Sequence, residues 1–151
     1  MKRTSTRFLV TGALVAALYA LLTYVSAALN LAYGTVQFRL SEALTVLPVV
    51  SGAAVPGLVI GCLLGNLTSP YGLVDIICGT GATLLMPIVC NAVIVGAEIT
   101  FLAPEGFALP AFLSAALSVA AGEAAVVALL GMPLLLFLQK RGLDPHLYAG
   151  K

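Results

Sequence analysis

Charge is what this chain has least of. Only 9% of its 151 residues are Asp, Glu, Lys or Arg, against about 25% in an ordinary soluble domain. The chain is also 61% hydrophobic, and a water-soluble fold of this size has too little interior to hide so many apolar side chains. The formal net charge is +1, so no basic face points to a nucleic-acid partner. Histidine occurs once, as His146 in the polar C-terminal tail. Without H-E-x-x-H or G-x-S-x-G, neither an intramembrane metalloenzyme nor a serine hydrolase is indicated. The Walker pattern G-x-x-x-x-G-K-[ST] is missing too. "GTGATLL" at Gly79 lacks its lysine and spacing, so the chain is not expected to hydrolyse ATP. The three cysteines, Cys62, Cys78 and Cys90, lie in apolar runs without C-x-x-C spacing. They read as small apolar fillers, not as a disulfide framework or zinc ligands. No enzyme activity, metal or resident cofactor is expected of this chain.

What the chain has in abundance is long apolar sequence, with a mean hydropathy of +1.11. At about 20 residues per crossing, five or six spans fit. The first apolar stretch, from Phe8 to about Leu29, is longer than the core of a signal peptide and predicts a transmembrane helix. Asn30 and Gly34 then interrupt the pattern. The run from Phe38 to Asn66 contains Pro48, Gly52, Pro56 and Gly57, which favours two short helices joined around Ser51–Gly52. Thr68 to Gly72, "TSPYG", is a turn with Pro70 in its second position. Leu73 to Leu102 holds one very long helix or two short ones broken near Met86–Pro87. "APEGFALP" is a polar turn, and a last helix runs from about Ala111 to Leu138. The sequence therefore predicts an all-α polytopic membrane protein forming a single domain. About six spans are expected, near 8–29, 38–50, 53–66, 73–86, 88–102 and 111–138, with a polar tail at 139–151; four spans is the alternative. Lys2, Arg3 and Arg7 precede the first helix, and Lys140, Arg141 and Lys151 follow the last, so both termini are expected in the cytoplasm.

Against this background the few charges stand out. An ionised group at the bilayer centre costs roughly 2.5–3.5 kcal/mol on insertion scales, so such groups face a protein interior or a wet cavity. Glu123 lies mid-helix among small residues in "ALSVAAGEAAVVALLG". Asn91 and Glu98, seven residues apart, fall on nearly the same helix face. There they offer an amide and a carboxylate to one cavity, unless Glu98 sits at a solvated helix end. Arg39 and Glu42 have i, i+3 spacing. Either they form an interfacial ion pair, or Glu42 points inward while Arg39 orients it or binds an anion. Asp75 follows a turn, where a carboxylate can serve as a helix cap or join the site. Gly12, Ala16 and Ala20 recur every four residues, as do Ala13 and Ala17. These stripes suit close helix approach, inside the protein or against a larger membrane partner. Several acids with little catalytic equipment favour solute binding, with a ligand that offers N–H donors or a positive charge.

The blocks "YGTVQFRLSEALTVLPVV" (Tyr33–Val50), "PGLVIGCLLGNLTSPYGLVDIICGTGATLL" (Pro56–Leu85), "NAVIVGAE" (Asn91–Glu98) and "AAGEAAVVALLGMPLLL" (Ala120–Leu136) resemble the QueT family. These are substrate-binding membrane subunits of energy-coupling-factor transporters. The resemblance implies six helices in a bacterial cytoplasmic membrane and a queuosine precursor as substrate, such as 7-aminomethyl-7-deazaguanine or queuine. It also implies a transmembrane coupling subunit and two ATPase subunits, which supply the ATP chemistry this chain lacks. The Gly12, Ala13, Ala16, Ala17 and Ala20 stripes then resemble the docking face of such subunits. On this reading Glu42, Glu98 and Glu123 line a ligand cavity with Asn91, Arg39 and Asp75, and Tyr33 and Phe38 cover the ring. Rival readings are a subunit for another vitamin-like solute, a self-sufficient proton-coupled carrier, and a purely structural membrane subunit.

Overall fold

The computed structural model describes residues 3–32, 38–70, 72–74, 76–78, 80, 87–104 and 106–142. Among these there are helices and turns and no strand. Helix α1 is Arg3–Ala28, followed by a 3-10 helical segment, Leu40–Val49, and by α2, Ala54–Asn66. After the second half of the chain is entered, α3 is Pro87–Phe101. The last rod, α4, runs continuously over Leu109–Lys140, with a π turn at Val127–Gly131.

Two helices are long and apolar enough to cross a bilayer, Thr6–Ala28 and Leu109–Lys140, and shorter apolar helices lie between them. Large apolar side chains cover their outsides: Leu9 is 67% and Leu117 70% exposed. Such a surface is unfavourable in water and natural in lipid, where helices satisfy their own backbone groups. The molecule is a helical membrane protein.

α1 ends where Asn30 adopts φ 56°. The Asn30 amide donates to the Ala27 carbonyl at 2.9 Å and the Leu31 amide to the Ser26 carbonyl at 2.8 Å, which is the Schellman arrangement. The chain then returns along α1. Leu40 meets Ser26, Ser41 meets Thr23, and Glu42 meets Tyr19, so the 3-10 segment runs antiparallel to α1. After the bend at 50–53 the direction reverses again. Cβ positions built at Gly57, Gly61 and Gly65 fall against Gly12–Val15, Ala16–Tyr19 and Thr23 in turn, so α2 runs parallel to α1.

The sequence predicts a short helix in this second segment, and the helix takes the 3-10 form. The 3-10 form rises about 2.0 Å per residue instead of 1.5 Å. Ten residues then cover about 20 Å, where an α-helix of the same length would cover about 15 Å. Pro48, which has no N–H and disfavours an α-helical interior, lies within the segment. In α4, Pro133 explains the π turn. Its ring would collide with the carbonyl four residues back, and the widened turn, with the Met132 amide bonded to the Val127 carbonyl, makes room for it.

The core is the space between these first three segments. Val15, Tyr19, Leu44, Ala54, Leu58 and Cys62 form it, and Leu134 from the end of α4 packs against it. α3 and the first half of α4 make a second, hairpin-like pair, in contact at Gly96 and Ala116. The 3-10 segment joins the two assemblies, packing on α1 on one side and on α4 on the other.

Candidate functional site

Tyr19, Thr23 and Ser26 follow one another at spacings of four and three, so one buried face of α1 carries three hydroxyls. Each meets the 3-10 segment. The Tyr19 phenol donates to Glu42 Oε1. The Thr23 hydroxyl donates to the Tyr19 carbonyl at 2.9 Å and shares a hydrogen bond with the Ser41 hydroxyl at 2.8 Å. Ser26 Oγ accepts from the Leu40 amide at 2.9 Å. Beyond them Arg39 ties the open end together. Its Nε donates to the Ala32 carbonyl and its Nη1 to Asn66 Oδ1, both at 3.1 Å. The Asn66 amide reaches Cys62 Sγ at 3.5 Å. A polar seam thus runs through the middle of an apolar core.

Glu42 is fully buried in this seam, and its Oε2 has no hydrogen-bond partner among the described residues. Arg39 is 3% exposed. The i, i+3 spacing places both at the start of the 3-10 segment, but their side chains engage different elements. Arg39 reaches back to Ala32 and across to α2, while Glu42 reaches α1. Arg39 is thus a buried cross-link between segments and not an interfacial charge.

Glu98 on α3 and Glu123 on α4 are also buried. Burial removes the alternative of a solvated helix end for Glu98. Glu123 stands between the part of α4 that packs on α3 and the π turn that packs on the 3-10 segment. At that turn a Cβ on Gly131 would lie 3.2 Å from the Ala43 carbonyl oxygen, beside Glu42 in the chain. The three carboxylates therefore belong to three different elements: α3 packs on α4, and α4 packs on the 3-10 segment. Phe38 is half-buried, with its amide donating to the Leu31 carbonyl at 2.8 Å. Tyr33 and Asp75 lie outside the described residues, and Asn91 is described only as part of the α3 backbone.

The small-residue stripes of α1 separate into two roles. Ala16 and Ala20 are buried, and a Cβ on Gly57 would meet the Gly12 carbonyl oxygen at 2.6 Å. The Gly12/Ala16/Ala20 stripe is therefore occupied by internal packing against α2. Ala13 and Ala17 remain exposed.

Sequence reading missed Tyr19, Thr23, Ser26, Ser41 and Asn66 as members of the polar seam. The signal was present in the α1 hydroxyls, whose spacing puts them on a single face. Asn66 gave no such signal, because its partner is 27 residues away.

No solved structure matches the chain. One curated relative, the queuosine precursor transporter QueT of Lactococcus lactis subsp. cremoris (strain MG1363), is 38% identical over 85 residues. That alignment takes in 56% of this chain and 50% of the relative, so the chain matches about half of the relative's length. The family model described as QueT transporter matches residues 9–140. That match runs from α1 through the polar seam to the end of α4, and the chain belongs to the QueT transporter family.

Proposed function

We propose that this chain is the substrate-capturing membrane subunit of an energy-coupling-factor importer. Its substrate would be a queuosine precursor, a 7-deazaguanine such as 7-aminomethyl-7-deazaguanine or queuine. The observation that carries the reading is the family match over 9–140, together with the likeness to the Lactococcus queuosine precursor transporter. The chemistry is compatible with it. A deazaguanine offers N–H donors, and the buried carboxyl groups of Glu42, Glu98 and Glu123 offer acceptors in a low-dielectric interior, where such hydrogen bonds are strong. Asn91, Arg39, Asp75, Tyr33 and Phe38 complete the proposed site.

The chain performs no catalysis on this reading. A transmembrane coupling subunit and two ATPase subunits supply the energy. The exposed Ala13/Ala17 face of α1 supports docking to the coupling subunit, since small residues let a partner helix approach closely. The protein would lie in a bacterial cytoplasmic membrane, with six spans and both termini inside.

Calorimetric titration of the detergent-purified chain with 7-aminomethyl-7-deazaguanine tests the proposal, with guanine and thiamine as controls. Saturable binding of the deazaguanine alone is the expected result. A folded sample that binds thiamine instead belongs to a different solute, and one that binds nothing is not a capture subunit.

A further inference from the structure

The α1–3-10 seam uses its polar groups almost completely. Thr23, Ser26 and Ser41 are joined to one another or to backbone groups, and Arg39 is committed to Ala32 and Asn66. Glu42 Oε2 is the exception: it is buried and has no hydrogen-bond partner among the described residues. Leaving a buried acceptor without a donor is unfavourable, more so if the group is charged. The other oxygen of the same carboxyl is held by the Tyr19 phenol.

That phenol is itself fixed. Tyr19 is fully buried, and α2 approaches so closely that a Cβ on Gly61 would lie 2.6 Å from Tyr19 Cβ. Full burial and this close packing at its Cβ hold the side chain in place, so the phenol is a fixed donor to the carboxyl. One consequence concerns ligand geometry. A guanine-like edge with two parallel N–H groups is matched by a carboxylate whose two oxygens both face it. With Oε1 engaged by the phenol, Glu42 presents a single oxygen. A single oxygen suits a point donor, and a protonated amine is the strongest of these.

We infer that Tyr19 is a positioning residue for specificity: it holds Glu42 so that Oε2 accepts from the protonated side-chain amine of the ligand, while the ring edge is recognised by other groups. The inference rests on the function proposed above and goes beyond it by assigning one carboxyl to one ligand group.

The test uses two ligands that share a ring, 7-aminomethyl-7-deazaguanine and 7-methyl-7-deazaguanine, which lacks the amine. They are titrated against the parent, Glu42→Gln and Tyr19→Phe, each checked for folding by thermal unfolding. The parent should prefer the amine by about tenfold or more, the scale of a charge-assisted hydrogen bond. Glu42→Gln keeps an acceptor for the phenol but loses the charge, and should abolish the preference. Tyr19→Phe should reduce the preference severalfold while leaving 7-methyl-7-deazaguanine binding nearly unchanged. A merely structural tyrosine would weaken both ligands alike, and that result overturns the inference. Equal binding of the two ligands by the parent overturns it as well, while leaving the proposed function standing. If Tyr19→Phe does not fold, Glu42→Gln decides, and a preference that survives in it overturns the assignment. A folded parent that binds neither ligand removes the proposed function and this inference with it.

Discussion

The two helix pairs of this protein are held together differently. α1 and α2 meet through glycines at three successive turns of α2, where built Cβ atoms fall between 2.6 and 2.9 Å from the nearest atom of α1. The 3-10 segment then closes over the pair with side-chain hydrogen bonds. α3 and α4 meet closely at Gly96, where a Cβ would lie 2.9 Å from Ala116 Cα. Near that contact they leave a half-open groove of about 170 Å³, lined in part by Thr100, Ala103, Ser114 and Ser118. In lipid, where burial of apolar surface does not by itself drive helices together, association depends on packing and on polar contacts. The first assembly has both in continuous supply. The second has one such close contact with a half-open groove beside it, and it carries Glu98 and Glu123 of the carboxylates buried among the described residues.

The largest expected effect breaks the tight pair. Gly61→Leu forces a side chain into Tyr19 Cβ and the Ala16 carbonyl oxygen, and neither can move without shifting α1. It should destabilise the protein by about 3 kcal/mol or more, at the upper end for overpacked interiors. Gly96→Leu should cost less, about 1–3 kcal/mol, because the neighbouring groove lets the hairpin adjust. Thermal unfolding in detergent measures both. Equal losses would mean that the two pairs are equally unyielding.

Arg39→Ala comes next. It removes the hydrogen bonds that Arg39 donates to Asn66 Oδ1 and to the Ala32 carbonyl and should cost about 2–3 kcal/mol, read as a lowered unfolding midpoint. An unchanged midpoint would show that Arg39 does not cross-link the first assembly.

The smallest change probes the seam alone. Thr23→Val removes the hydroxyl shared with Ser41 at nearly constant volume and should cost about 1 kcal/mol. Gly52→Ala, where a Cβ meets nothing within 4 Å, should stay within about 0.5 kcal/mol of the parent. If Thr23→Val were as silent as Gly52→Ala, the polar seam would contribute nothing to stability, and the contrast between the pairs would reduce to glycine packing.

Much of this was legible in the chain. Scarce charge and long apolar runs determine a helical membrane protein, because a bilayer admits few other structures and composition reports that solvent directly. The stop at Asn30 and the turn closed at Gly72 follow from local backbone chemistry. Glu42 and Glu123 were conspicuous because a carboxyl in an apolar run is costly wherever it ends up. The same reasoning could not say that Arg39 would turn to Ala32 and Asn66, or that Tyr19 would meet Glu42. Those partners are 7, 27 and 23 residues apart, and only the antiparallel return of the 3-10 segment along α1, followed by the parallel run of α2, brings them together. The stripes of α1 make the point again. Gly12, Ala16 and Ala20 were as suited to an outside partner as Ala13 and Ala17, since a stripe of small residues specifies close approach and not by whom. The glycines of α2 decided that the first stripe lies inside and left the second facing out. The 3-10 form of Leu40–Val49 was likewise not legible, since Pro48 disfavours an α-helical interior without specifying what replaces it.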